Sequence, residues 1–82
     1  MKSIHNKAYQ NLLYFLRLKR LSKGITQEKL ASHLGVSQSI ISKIETYERR
    51  LDVIELREIC LAIGISFPEF IIEFEEYLKQ KV

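Results

Sequence analysis

The chain has 82 residues, 46% of them hydrophobic, which is enough for one small core and too little for a second functional domain. A single cysteine, Cys60, excludes an internal disulfide and a cysteine-rich metal site. The net charge of +3 hides an asymmetry: residues 1–50 hold ten Lys/Arg against three Glu, a balance of +7, and residues 51–82 hold three against seven, a balance of −4.

A basic half suits a polyanionic partner. Charge runs are also common on plain solvated faces, so the asymmetry needs a motif beside it. No apolar run approaches the roughly 20 residues of a membrane span. The stretch MKSIHNKAYQ lacks the apolar segment and cleavage site of a signal peptide. The expectation is a cytoplasmic, single-domain protein over residues 1–82.

Apolar residues recur at spacings of three and four between Gly24, Gly35 and Gly64, which predicts five helices joined by short turns. The first spans about Asn6 to Ser22, with Tyr9, Leu13 and Leu16 on one stripe, Tyr14, Leu18 and Leu21 on another, and Gly24 as a left-handed cap. The second starts with Thr26 as N-cap and ends near Leu34, and Gly35 makes the turn. The third runs from about Ser37 to Thr46 and buries Ile41 and Ile44. A basic loop, Glu48-Arg49-Arg50, follows.

The fourth helix opens with Asp52 and Glu55 at capping-box spacing and buries Leu56, Ile59, Cys60 and Ile63 before Gly64. Cys60 reads as a small core hydrophobe rather than a reactive thiol. The fifth opens with Ser66 and Glu69 at the same spacing, tolerates Pro68 in its first turn, and frays near Lys79. The predicted fold is all-α, a five-helix bundle.

The most constrained stretch is TQEKLASHLGVSQSIISKIE. Leu30, Leu34, Val36, Ile41 and Ile44 are the apolar positions that two short, steeply crossed helices must bury, while Ala31 and Gly35 are the small residues at a close approach and at a turn of positive φ. At about 100° per residue, inward Ile41 and Ile44 turn Gln38, Ser39, Ser42 and Lys43 outward. These are candidate base readers: an amide pairs bidentately with adenine, an ammonium donates to guanine, and hydroxyls serve several base edges. Ile40, at the margin of the core face, reads as partial packing.

With the segments ITQEKLASHLGVS and SKIE followed by a basic loop, the chain resembles the lambda repressor and Cro-like helix-turn-helix family, also called the xenobiotic-response-element (XRE) family, over about Leu16 to Phe70. The resemblance implies a helix-turn-helix at residues 26–47 that docks its third helix in the major groove of double-stranded DNA, as a transcriptional regulator. It also implies phosphate contacts from Gln27, Ser37, Tyr47, Arg49 and Arg50. A partly buried salt bridge between Arg20 and Glu45 follows from the same likeness. The sequence departs from the family in two places: Tyr47 stands where many members end helix three with glycine, and the loop entering helix four is about one residue longer.

Helix five carries many large apolar side chains, and Phe70, Ile72, Phe74, Tyr77 and Leu78 are the expected surface of a homodimer on a palindromic operator, assisted by the Tyr14, Leu18 and Leu21 stripe. The rival reading is an interaction module, an antitoxin or adaptor that binds a partner protein through the same fold. For an enzyme, the sequence offers no nucleophile with a base, no paired carboxylates and no phosphate loop. His5 and His33 are too isolated to form a metal site, and no cofactor is implied.

Overall fold

The computed structural model describes residues 6–81, so His5 lies outside the described residues. In chain order the helices are α1 (Lys7–Ser22), α2 (Gln27–Leu34), α3 (Gln38–Glu45), α4 (Val53–Ile63) and α5 (Phe67–Gln80). There is no strand among the described residues.

Each start is written in the local sequence. Asn6 Oδ1 accepts the Tyr9 N–H at 3.1 Å, and Thr26 Oγ1 accepts the Lys29 N–H at 3.0 Å. The capping box of α4 is reciprocal: Asp52 Oδ1 accepts the Glu55 N–H at 2.8 Å, and Glu55 Oε1 accepts the Asp52 N–H at 3.1 Å. Ser66 caps α5 with Pro68 in its first turn. Such caps stabilise a helix by about 1 kcal/mol each. The exception is Ser37 before α3, whose hydroxyl makes no cap bond and lies 3.1 Å from that of Ser39.

The turn from α2 to α3 needs Gly35. Its φ of +70° lets the Gly35 and Val36 N–H groups reach back to the carbonyls of Ser32 and Ala31. The turn from α3 to α4 solves the same problem with Tyr47, at φ +66°, the one non-glycine residue of positive φ among the described residues. The Glu48 and Arg49 N–H groups then both donate to the Lys43 carbonyl, at 2.8 and 3.1 Å.

Leu13 and Leu16 of α1, Leu30 and Ala31 of α2, Ile41 and Ile44 of α3, and Ile59, Cys60 and Ile63 of α4 close over one core with Phe70 of α5. Burial pushes the Cys60 thiol up to about 11, so it carries no thiolate at neutral pH. Val36 departs from expectation: it is 38% exposed, because it sits after Gly35 in the turn, where the chain leaves the core before α3 begins. Ile40 packs partly against the core, as its position on the helix predicts.

Phe70 also needs correcting. It was expected on a dimer surface and is 1% exposed, among the most buried side chains of the single chain. The reason is Phe15, whose ring lies 5.4 Å from Phe70, 6.1 Å from Phe74 and 4.8 Å from Tyr77. The aromatic side chains of α5 are thus largely taken up by α1 within one copy. Ile72 points outward, 65% exposed, and the stripe of Tyr14, Leu18 and Leu21 is exposed as well. A larger apolar exposure appears on α4, where Val53, Ile54 and Leu61 face away from the core.

Candidate nucleic-acid interface

The second half of the helix-turn-helix presents its polar residues on one side. Gln38, Ser39 and Lys43 are exposed on α3 while Ile41 and Ile44 are buried behind them, and Ser42 is half-buried between the two faces. The expected base-reading set is therefore brought together, with Ser42 the least accessible member.

Behind these residues runs a continuous polar chain. Arg20 of α1 holds Glu45 of α3 in a fork, Nε to Oε2 at 2.7 Å and Nη2 to Oε1 at 3.0 Å. Its remaining Nη1 donates to the Ile25 carbonyl at 2.6 Å. The two side chains are 6% and 10% exposed, so this is a nearly desolvated pair with its geometry completed by a third hydrogen bond. Arg17, on the rim, approaches the same carboxylate at 3.9 Å.

Gln27 extends that chain. Its Nε2 donates to Glu45 Oε1 at 2.8 Å, and its Oε1 accepts from Gln38 Nε2 at 2.5 Å. Gln27 was expected to meet a phosphate, and it also has an internal role: it joins the buried salt bridge to the outermost residue of α3. The sequence places Gln27 and Gln38 eleven positions apart, and only the crossing of α2 and α3 brings them into contact.

The basic loop also holds a mixture. Arg50 is exposed and its guanidinium stands 5.9 Å from the centre of the Tyr9 ring. Arg49 is engaged by Glu55, Nη2 to Oε2 at 2.9 Å and Nη1 to Oε1 at 3.4 Å. The Glu55 carboxyl is held below its ordinary value, first by the Arg49 hydrogen bond and then by the backbone of Asp52. Tyr47 is half-buried against the core and Ser37 is exposed. Sequence reasoning missed Tyr9 and Glu55 as partners of this loop. The capping box located Glu55, but nothing in its spacing announced an arginine six residues upstream.

Known proteins frame this geometry. Residues 16–70 match the family model HTH_3, described as helix-turn-helix. An XRE-family like protein from Pseudomonas syringae pv. tomato str. DC3000 superposes with a TM-score of 0.84 at 46% identity, covering 93% of each chain. The restriction-modification controller protein C.Esp1396I, as a tetramer in complex with its natural 35 base-pair operator, superposes with a TM-score of 0.80 at 26% identity, covering 88% of this chain and 95% of that one. By sequence, the HTH-type transcriptional regulator y4dJ of Sinorhizobium fredii is 39% identical over 62 residues, 76% of this chain and 79% of that protein. These relatives are regulators rather than enzymes. With five helices among its described residues, a helix-turn-helix at its centre and a match over two thirds of its length, the chain belongs to the XRE family of helix-turn-helix, DNA-binding transcriptional regulators.

Proposed function

We propose that this regulator binds a palindromic operator as a homodimer, with α3 in the major groove and base edges read by Gln38, Ser39, Ser42 and Lys43. Gln27, Ser37, Tyr47 and the basic loop, through Arg50, hold the flanking phosphates, and occupancy of the operator in the cytoplasm represses transcription. The observation that carries this reading is the exposed polar side of α3, with Gln38 tied to Gln27 at its edge and a basic loop at its far end. The 35 base-pair operator complex of C.Esp1396I supports duplex binding by more than one copy. A single unit of this size reads only a few base pairs, and a pair one helical turn apart, about 34 Å, multiplies its discrimination.

The α5 contribution to the pair rests on Ile72 with the half-buried Phe74, Tyr77 and Leu78. Phe74→Glu would damage the ring contact with Phe15, so Ile72→Glu is the cleaner probe. Selection of bound duplexes from a random library should return an inverted repeat. Sedimentation should give a dimer that Ile72→Glu weakens. A single half-site bound by one copy would refute the pairing, and the absence of any enriched sequence would refute specific reading. A second reading, an antitoxin or adaptor, draws on the apolar side chains exposed on α1 and α4. It predicts copurification with a protein encoded next to it and no enriched sequence among duplexes bound by the isolated chain.

A further inference from the structure

The two arginines of the α3–α4 loop have the same sequence context and different physical situations. Arg49 is closed onto Glu55 by two hydrogen bonds, and Glu55 accepts the Asp52 N–H at the same time. That triangle ties the loop to the first turn of α4. Moving Arg49 onto a phosphate would strip a carboxylate of its partner, so the exchange gains little.

Arg50 has no carboxylate within ion-pairing distance among the described residues. Its guanidinium lies over the face of Tyr9, at the start of α1, and the Tyr9 hydroxyl accepts the N–H of the next residue, Leu51, at 2.8 Å. One side chain therefore anchors the loop backbone and lies within cation–π range of the Arg50 head. A cation–π contact, unlike an ion pair, leaves the guanidinium N–H donors free for a phosphate. Ring contact restricts the swing of the long side chain without consuming its donors.

We infer that Tyr9 is a positioning residue for the DNA-backbone contact, aiming Arg50 at a phosphate, while Arg49 is a strut between the loop and α4 that takes no phosphate. This rests on the reading above of the basic loop as part of the DNA face.

The test is the salt dependence of binding to a random-sequence duplex, where phosphate contacts supply nearly all the affinity. Arg50→Ala should lower the slope of log affinity against log salt by about one unit. Arg49→Ala should leave the slope unchanged while lowering the urea midpoint. Tyr9→Leu should remove part of the slope lost in Arg50→Ala and add nothing in the double variant, while Tyr9→Phe, which keeps the ring, should retain it. A wild-type slope in Tyr9→Leu, or additive losses in the double variant, overturns the role of Tyr9. A loss of about one unit in Arg49→Ala overturns the strut. An unchanged slope in Arg50→Ala removes the loop from the DNA face, so that the underlying reading fails instead. On the wild-type protein, NMR titration with the same duplex should move the Arg50 Nε–H more than that of Arg49, and the reverse order also overturns the inference.

Discussion

Gln38, at the start of α3, donates from Nε2 to Oε1 of Gln27, at the start of α2, across 2.5 Å. Each holds the other's rotamer, so part of the ordering entropy of recognition is met before DNA arrives. Gln38→Ala should weaken binding to the selected operator by about 1–3 kcal/mol and leave binding to random duplex nearly unchanged. Competition binding on the two duplexes makes the comparison. Equal losses on both would reduce Gln38 to a phosphate-side role.

The Arg20–Glu45 pair ties α1 to α3 and is a test of fold stability. Glu45→Ala leaves a buried guanidinium with only the Ile25 carbonyl and should cost about 3–5 kcal/mol. Replacing both members with apolar residues of similar size, Arg20→Met with Glu45→Leu, should recover most of that loss, because no charge is then stranded. Urea unfolding of the wild type and the two variants gives the answer, and a double variant as unstable as the single one would contradict it.

Tyr47 occupies a left-handed conformation that costs an ordinary residue about 1–2 kcal/mol. Asparagine tolerates that region and a β-branched side chain does not. Tyr47→Asn should therefore be more stable than Tyr47→Val by about 1 kcal/mol, although valine is the more apolar substitute at a half-buried site. Thermal unfolding in which the valine variant is equal or better would show that packing, not backbone conformation, decides this position.

Glu55 carries a pH signature. Its ordinary value is 4.5 and the folded chain lowers it, so the folded state binds this proton less tightly than the unfolded state. The stabilisation is therefore fully present above about pH 4.5 and is lost as pH falls through the lowered folded value. The pair is partly exposed, 39% and 35%, so solvent screens its contribution to a small one. Unfolding free energy measured from pH 6 down to pH 3 should fall less steeply in Glu55→Gln than in the wild type. Parallel curves would remove Glu55 from the acid response.

What could be read along the chain was whatever depends on near neighbours. The caps at Thr26, Asp52 and Ser66, the turn at Gly35 and the inward pair Ile41 and Ile44 are set by spacings of three or four residues, and they stand where that spacing predicts. The Arg20–Glu45 bridge, 25 residues apart, came only through the family likeness. Contacts fixed by how helices cross were not legible. Phe15, which belonged to neither assigned stripe of α1, absorbs the rings of α5 and so removes Phe70 from the surface. Arg49 and Arg50 are adjacent and alike in sequence, and a partner from α4 and another from α1 separate them. The apolar exposure on α4 is not legible from spacing, because Leu56, Ile59 and Ile63 by themselves account for a core stripe.

The chain of amides behind α3 also transmits a direction. A carboxylate has no proton to give, so Glu45 compels Gln27 to turn its NH2 inward and its carbonyl oxygen outward. That oxygen in turn compels Gln38 to offer it an N–H, which leaves Gln38 with a free carbonyl oxygen and one free N–H on its outer edge. The pattern of donor and acceptor that Gln38 turns outward is thus set by an acid on the far side of Gln27. Glu45→Gln, a change of one atom on a nearly buried side chain, removes that compulsion and frees both amides to flip, so the outward polarity of Gln38 is no longer fixed from behind.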